Sequence, residues 1–314
     1  MCVRPLSKKA MTSYEKARTK ERQFIALTSL TIHQFDTLLP IFESRWESFI
    51  ERFNLDGTPR QRKYVPKNEE QLTTISDKLF FTLFYKKTNS LQEVVALQFD
   101  LDVSMANKWI HILSPILDKA LAKFSPPSDL QQVDFQSDEE YIIDGSECPI
   151  QRNSYHQEDD YSGKKKTHTM KSTLIVSTIG LIVWLSQSFT GKIHDKTMVE
   201  NLKFNTEITL LADLGYKGWE PENVTLVLPH KKPRNTKKEK RYLTQEQKDF
   251  NKDLSKRRVK VENVLAHVKI LRIIKDRNRN YRFGFREKLM KTACSLYNFR
   301  KITPKMVLKQ EIIC

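Results

Sequence analysis

The sequence contains few cysteines, and their spacing excludes a small fold that is stabilised by disulfides or by zinc. Only 4 cysteines occur among 314 residues, at positions 2, 148, 294 and 314. Their separations match neither a disulfide framework nor the spacing of zinc ligands. A reducing compartment is therefore the simpler expectation.

Long apolar runs are missing as well. The most apolar segment, Leu174 to Leu185, spans 12 residues and is interrupted by Ser177, Thr178 and Gly180. A membrane-spanning helix needs about 20 apolar residues, so this segment is better interpreted as two strands joined by a tight turn. The first 20 residues contain no apolar stretch of signal-peptide length. We expect a cytoplasmic protein without a membrane partner.

Two enzyme motifs are also absent. No Gly-x-x-x-x-Gly-Lys sequence occurs, so a P-loop and dependence on ATP are not expected. The Gly-x-Ser-x-Gly turn of many serine hydrolases is missing too. A serine or cysteine hydrolase therefore has no support from the sequence.

Positive charge is abundant. The chain has 54 Lys and Arg against 38 Asp and Glu, which gives a formal net charge of +16. Such a balance indicates a polyanionic partner, with nucleic acid favoured over a membrane surface. Hydrophobic residues make up 39% of the chain, which is enough for a folded core. The length predicts about two domains.

The N-terminal third has the apolar spacing of helices. Residues 31–53 predict one helix interrupted at Pro40, and residues 73–86 predict another. Ser90 and Glu93 fit a Ser-x-x-Glu capping box that would open a second, shorter helix. This part of the chain is therefore expected to be entirely helical.

A further helix is predicted to begin near Val103 after a four-residue turn. A short helix, a tight turn and a second helix make up the layout of a helix-turn-helix. The solvent face of the second helix would carry Ser104, Asn107 and Lys108, which are able to contact phosphates and base edges. A plain three-helix bundle is the alternative interpretation.

Beyond residue 135 the pattern changes to alternating strands and helices, which predicts a mixed α/β sheet. A short strand is predicted to end at Asp144, and a later apolar strand ends at Asp213. The other predicted elements are strands at 168–177 and 181–187, a helix at 193–204 and a helix at 256–273.

Three acidic residues are candidates for a metal site. Asp144 and Asp213 each follow an apolar strand, and ligands commonly collect at the carboxyl edge of an α/β sheet. Two converging carboxylates repel each other, and a hard divalent cation such as Mg²⁺ relieves that repulsion. Glu262 lies beside the apolar stripe of the late helix. The alternatives are strand-end turns for the aspartates and a surface salt bridge to Arg258 for Glu262.

Several segments carry a resemblance to a known family over most of the chain. The sequence resembles bacterial insertion-sequence transposases of the insertion-sequence-five type, which are related to the eukaryotic Harbinger transposases. The segments are IIDGSECPIQR, YSGKKKTHTMK, GKIHDKT, LLADLGYKG, FNKDLSKRRVKVENVLAHVK and the N-terminal LTIHQFDTLLPIF.

The resemblance implies a fold and a set of catalytic residues. It implies an α/β class, with a ribonuclease-H-like mixed sheet at 135–305. An all-α DNA-binding domain at 1–125 would precede it, with the helix-turn-helix near 76–114. Asp144, Asp213 and Glu262 would form the DDE triad. Asp195 matches a position sometimes counted as a further metal ligand, and the cap of a helix N-terminus is its alternative role.

The glutamate helix resembles the family's Tyr, Arg, Glu and Lys signature only in part. Arg258, Glu262 and Lys269 keep the spacing, but Ser255 stands at the tyrosine position. Offsets of four and seven residues align on one helical face. Two cations would therefore flank the acid where a DNA phosphate must bind.

Other residues are expected near the DNA by the same resemblance. A basic run and one histidine would border the site and bind phosphates, with a solvated turn as the alternative, and the stretch from 231 to 258 would follow the DNA backbone. Two aromatic residues after the second aspartate are candidates for stacking on an unpaired base, with core packing as the alternative. The residues are Lys164, Lys165, Lys166 and His168, and Tyr216 and Trp219.

The implied activity is the hydrolysis of phosphodiesters at transposon ends, followed by attack of the freed 3′-OH on target DNA. Two Mg²⁺ or Mn²⁺ ions would serve as cofactors. The implied partners are double-stranded DNA, as terminal inverted repeats and target, and further copies of the chain in a synaptic complex on the bacterial nucleoid. A DNA-binding regulator that needs no Mg²⁺, and a metal-dependent nuclease without strand transfer, are the competing hypotheses.

Overall fold

The computed structural model describes residues 12–64, 72–152, 157–233, 242–280, 282 and 284–311, with side chains up to 303. Within these ranges the chain divides into two compact units. The first comprises the residues up to Lys123 together with Leu271–Ile273, and the second comprises the remainder. We keep the limits 1–125 and 135–305 as a proposal for the functional domains. None of the described helices is both long and apolar enough to cross a membrane.

The first unit is built from helices around an aromatic core. Phe24 packs edge-on against Phe35 at a ring-centroid distance of 5.2 Å, and Phe81 packs in the same way against Phe99 at 5.0 Å. The helices are α1 (Ser13–Arg18), α2 (Glu21–Thr28), α3 (Ile32–Arg52), α4 (Ile75–Thr88), α5 (Gln92–Phe99) and α6 (Val103–Ala120).

Two local predictions in this unit are wrong. Pro40 lies inside the continuous helix α3 and does not interrupt it. A proline inside a helix costs about 3 kcal/mol, but α3 buries a whole apolar face that includes Phe42 and Trp46, and this offsets the penalty. The capping box is not formed either, because α5 begins after Leu91 and has no side-chain cap. The Ser90 hydroxyl donates instead to Thr88 Oγ1 at 3.0 Å.

The predicted helix-turn-helix is present as α5 and α6. Asp100 ends α5 in the left-handed region with φ of 54°, and the backbone N–H of Leu101 donates to Ala96 O at 2.9 Å. The chain then enters α6 at Val103, as predicted. The turn is therefore closed by backbone hydrogen bonding rather than by a side-chain cap.

The second unit contains a seven-stranded mixed sheet in the order β2-β3-β1-β6-β7, with β4 and β5 also paired to β3. Strand β1 lies in the centre, antiparallel to β3 and parallel to β6, and β6 is parallel to β7. The strands are β1 (Glu140–Pro149), β2 (Tyr161–Ser162), β3 (Thr167–Ser177), β4 (Ile182–Leu185), β5 (Phe189–Thr190), β6 (Ile208–Leu211) and β7 (Val224–Val227).

Strand β1 is longer than the sequence predicts. It does not end at Asp144, because its antiparallel pairing with β3 continues as far as Pro149 opposite Thr169. The parallel ladder to β6 is much shorter and has its last pair at Ile142 and Leu211. Strand β6 therefore stops pairing with β1 just before Asp144, whereas β3 continues alongside β1.

The helices of the second unit are α7 (Gln157–Asp160), α8 (Gln245–Val268) and α10 (Arg286–Glu311). The short helix α9 (Arg272–Lys275) has its first two residues in the segment that belongs to the first unit. Helix α8 packs on β1, and α10 packs on α8 and β4. The helix predicted at 256–273 is therefore α8, which begins earlier and ends at Val268. The prediction of a helix at 193–204 is wrong. Backbone hydrogen bonds that span three residues, such as the one from Val199 N to Lys196 O, form a series of turns there.

A buried asparagine joins α10 to the sheet. Asn298 Oδ1 accepts from Ile182 N at 3.0 Å, and its Nδ2 donates to Ile182 O at 2.9 Å and to Phe124 O at 3.2 Å. The amide therefore satisfies both backbone groups of Ile182, which lies at the start of β4. Buried backbone groups are seldom left without such a partner.

We expect Asn298→Ala to lower the free energy of unfolding by about 3 kcal/mol, because it leaves buried backbone groups without partners. Urea unfolding followed by circular dichroism measures this loss. Asn201→Ala, at an exposed position, is the control and should change stability little. Equal stabilities of the two variants would contradict the role of Asn298.

Candidate active site

Strands β1 and β6 bring Asp144 and Asp213 to the same edge of the sheet. The last parallel pair is Ile142 with Leu211, and each aspartate lies two residues farther along its strand direction. Neighbouring strands are about 4.8 Å apart, so the register places the two residues side by side. The convergence predicted from the strand ends is thus produced by the shared register.

Asp195 also reaches this edge, from the turns that follow β5. A Cβ atom added to Gly145 would lie 3.5 Å from Asp195 Oδ1. One added to Gly215 would lie 2.8 Å from Asp213 Oδ1 and 3.2 Å from Asp195 Oδ2. Since no helix begins at Asp195, its alternative role as a helix cap is excluded. Gly215 leaves room for the two carboxylates to approach the backbone, whereas a Cβ at Gly145 would make only ordinary contacts.

The electrostatics of Asp144 show how closely the acids are grouped. Its pKa is raised to about 6, first by burial and then by the negative charges of Asp213 and Asp195. The Gly145 N–H, which donates to Asp144 Oδ1 at 2.9 Å, and the positive charge of Arg258 oppose this rise. Repulsion between carboxylates is therefore built into the site.

Tyr216 lies beneath the three aspartates. Its side chain is fully buried, and its pKa is raised well above the ordinary value by burial and then by Asp144, Asp195 and Asp213. Trp219 is buried in the same hydrophobic cluster. Of the two interpretations of Tyr216 and Trp219, core packing therefore holds, because both rings are buried, and stacking on an unpaired base is not supported.

A buried lysine holds one of these acids in place. Lys171, which is 7% exposed, lies with its Nζ 3.7 Å from Asp195 Oδ1 and 3.7 Å from Glu147 Oε1. The ammonium also donates to Ile193 O at 2.8 Å, and Thr169 Oγ1 donates to Glu147 Oε2 at 3.0 Å. The sequence predictions missed Lys171 and Glu147. The available signal was a lysine in an apolar strand, since charged side chains are rarely buried without partners.

Glu262 differs from the aspartates. It lies exposed on α8, and among the described residues its side chain makes no ion pair or hydrogen bond, so the alternative bridge to Arg258 is not formed. Arg258 lies one turn earlier and acts on Asp144. Lys269 lies near Cys148 at the far end of β1, where burial raises the pKa of that thiol to about 11 and the lysine lowers it. The signature face of α8 therefore runs along β1.

No three His, Cys, Asp or Glu side chains within the described ranges are close enough to hold a metal ion as they stand. The acids that lie near one another at this edge of the sheet are Asp144, Asp195 and Asp213.

The predicted phosphate-binding residues lie near the opposite end of β1. Residues 163–166 form an exposed turn between β2 and β3, and His168 lies at the start of β3 with its ring 5.8 Å from that of Tyr161. A cavity of about 240 Å³ brings Lys165 and Lys269 together with Thr167, Thr169 and Lys275. The basic stretch is described at 231–233 and 242–258, and residues 234–241 lie outside the described residues.

The comparisons agree with this arrangement. A family model described as "DDE superfamily endonuclease" matches residues 143–298, and one described as "Helix-turn-helix of DDE superfamily endonuclease" matches residues 70–123. The chain belongs to the DDE superfamily of endonucleases. This DDE enzyme is also 27% identical over 276 residues to the "Probable transposase for insertion sequence element IS702" of Microchaete diplosiphon. The aligned region covers 86% of the chain and 95% of that protein. No solved structure matches significantly.

The resemblance stated from the motifs is confirmed: the chain is a DDE transposase of the insertion-sequence type with an N-terminal helix-turn-helix. The α/β fold of the catalytic part, preceded by helices, is confirmed with it. Endonucleases of this superfamily typically depend on divalent metal ions, and the helix-turn-helix indicates that the enzyme binds DNA.

Gly215 offers a test of how tightly the DDE enzyme packs its acids. A methyl group on Gly215 would meet Asp213 Oδ1 at 2.8 Å, which is closer than ordinary Cβ contacts. We expect Gly215→Ala to displace the Asp213 carboxylate and, if this edge of the sheet is the active site, to reduce metal-dependent DNA nicking at least about tenfold, as small misplacements in an active site do.

Gly163→Ala is the matched control, because a Cβ there would meet nothing within 4 Å. Nicking of a plasmid and the thermal midpoint are measured for both variants. Full nicking activity in Gly215→Ala would show that the position of the Asp213 carboxylate beside this turn is not needed for cleavage.

Proposed function

We propose that this transposase hydrolyses phosphodiesters at the ends of its insertion sequence and joins the freed 3′-OH to target DNA. In this proposal Asp144, Asp213 and Glu262 are the catalytic triad, and Asp195 is a further metal ligand. The observation that carries the proposal is the close approach of three aspartates at one edge of the sheet, where burial and then the charges of Asp213 and Asp195 raise the pKa of Asp144. Such a cluster is costly to hold partly buried. Asp213 also forms the predicted strand-end turn by accepting from Gly215 N at 2.8 Å, but a turn needs only one acid and leaves the other two unexplained.

The donor set suits a hard divalent cation. It consists of carboxylate oxygens, which Mg²⁺ and Mn²⁺ prefer, and Gly215 keeps the space beside two of them open. Asp144, Asp213 and Asp195 would hold the metal, with Glu262 completing the set; we propose two ions. Bound metal would supply a water nucleophile and stabilise charge on the leaving oxygen.

The remaining side chains bind and orient DNA in this proposal. Arg258 lies close enough to Asp144 to act on its charge, so its guanidinium can bind a DNA phosphate that lies next to the aspartates. Lys269 and the exposed turn residues provide further phosphate contacts, whose number sets the salt dependence of binding. The proposed contacts in that turn are Lys164, Lys165 and Lys166, followed by His168.

The helix-turn-helix would select the terminal inverted repeats. Ser104, Asn107 and Lys108 are exposed on α6. Asn107 Nδ2 donates to Gln92 Oε1 at 3.1 Å, which fixes the orientation of the amide against α5. Asn107 is therefore the candidate for a base contact, and Lys108 and Ser104 are candidates for phosphate contacts. Synapsis of two ends on the nucleoid would require a dimer or a larger assembly.

The central test replaces each acid of the triad without changing its size. We expect Asp144→Asn, Asp213→Asn and Glu262→Gln each to slow Mg²⁺-dependent cleavage by about a thousandfold, as the loss of an electrostatic stabiliser does. Binding to duplex DNA should be retained, because it rests on other residues. The substrates are duplexes that contain the DNA flanking the coding sequence, and nicks are scored at the element boundary.

Asp134→Asn and Glu246→Gln, both at exposed positions, are the controls. Undiminished cleavage in Asp144→Asn would overturn the assignment. A strand-transfer assay with pre-cut ends separates a transposase from a nuclease that only cuts. Specific binding without any cleavage by the unaltered chain would favour a DNA-binding regulator.

A second test separates Asp195 from Glu262. Asp195 lies among the aspartates in the DNA-free protein, whereas Glu262 is exposed. We therefore expect Asp195→Asn to weaken Mn²⁺ binding to the DNA-free protein by about tenfold, a loss typical of a perturbed metal site. Glu262→Gln should leave that affinity nearly unchanged and should reduce cleavage only. Titration calorimetry with Mn²⁺ gives the affinities, and the reverse order would exclude Asp195 from the site.

A further inference from the structure

A second cavity in the catalytic unit has no role in the proposed reaction. It lies between the β3–β4 hairpin, α8 and α10, and its volume is about 500 Å³. The hairpin contributes residues 178–180 to its wall. We call this cavity the α8–α10 cleft. The polar and charged side chains that the two helices contribute are Lys260, Asn263, His267, Tyr297, Arg300 and Lys301.

The α8–α10 cleft is preformed. The Tyr297 hydroxyl donates to Gly180 O at 2.7 Å and so ties the hairpin turn to α10. The next residue, Asn298, pairs with both backbone groups of Ile182 just after the turn. The two walls are therefore held together by buried hydrogen bonds, and a ligand would not have to order them. Preorganisation of this kind lowers the cost of binding.

The lining is strongly cationic. Lys260 and Lys301 are exposed at the cleft, and the half-buried Arg300 donates from Nη2 to His267 O at 2.8 Å. Burial lowers the pKa of Arg300 to about 10, so its guanidinium is still charged at neutral pH. The ten described lining residues include neither Asp nor Glu. Cations on a wall of low dielectric constant attract an anion more strongly than cations in open solvent.

Helix α8 separates the α8–α10 cleft from the aspartates. Residues advance about 100° each around a helix, so Lys260, Asn263 and His267 lie roughly opposite the signature face of Arg258 and Glu262. The hairpin also follows Ser177, which pairs with Tyr141 near the start of β1, whereas the acids lie beyond Ile142. An anion in the cleft would therefore not be the phosphodiester at the acids.

We propose that the α8–α10 cleft binds the backbone of a second DNA segment while the first segment lies at the aspartates. The inference rests on the proposed function, since two DNA segments must meet for strand transfer. The ligand chemistry is that of consecutive phosphodiesters, which are spaced about 3.4 Å apart per base pair along the axis of duplex DNA. Its source is either the target duplex or transposon DNA farther from the cut end.

The test uses the full chain with Lys260 and Lys301 both replaced by alanine. The dissociation constant of the K260A/K301A variant for a duplex of random sequence is measured over a range of salt concentrations. Each lost phosphate contact reduces the slope of log Kd against log salt by about 0.9, so we expect a reduction of about 1 to 2. K203A/K288A removes the same charge from exposed positions outside the cleft and should keep the original slope.

Two further assays identify the source of the DNA. If the cleft holds target DNA, K260A/K301A will cleave element ends at the normal rate but lose at least about tenfold in joining pre-cut ends to a plasmid, a loss that corresponds to one or two phosphate contacts. If the cleft holds transposon DNA, cleavage of long end duplexes will fall and cleavage of short ones will not. Slopes and rates equal to those of K203A/K288A in every assay would overturn the proposal. If the unaltered chain failed to cleave, the proposed function would fail, whereas the slope measurement would still test the cleft.

Discussion

The catalytic unit is organised around the mutual repulsion of carboxylates held at one edge of a sheet. Asp144 and Asp213 are delivered there by parallel strands in matched register, and Asp195 is brought against them by a turn. In a partly buried site such charges interact far more strongly than in water. Arg258 offsets part of this cost beside Asp144. Gly215 is explained by the need to bring these acids together, because a side chain there would clash with the Asp213 carboxylate.

The sequence predicted the strands that carry the acids because apolar runs followed by Asp are strong local signals. It could not predict that β1 continues past Asp144, since that length is set by pairing with β3, a contact between distant parts of the chain. The helix expected at 193–204 failed for a related reason: residues such as Met198 and Phe204 are buried by turns that pack on the sheet, and tertiary packing overrides helical spacing. Similarly, Pro40 is tolerated because one face of α3 is buried.

The acidic residues of the candidate site could be predicted from the sequence better than the residues around them. Family motifs indicated Asp144, Asp195, Asp213 and Glu262, whose catalytic roles are still proposals, and the structure groups the three aspartates while leaving Glu262 exposed. The sequence could not decide whether Tyr216 and Trp219 are buried, because aromatic residues that follow an acidic residue can either stack on a base or pack in the core. The α8–α10 cleft left no motif at all, since its cations come from two helices and its shape from a hairpin.

Lys171 has a consequence for how the enzyme is made. Its ammonium lies between Asp195 and Glu147 and is covered by the rest of the sheet. This side chain acts as an internal counter-ion that belongs to the polypeptide itself, and the register of β1 and β3 sets it opposite Glu147. The charge of Asp195 is thus balanced in part by a group built into the sheet and not by one recruited from solution.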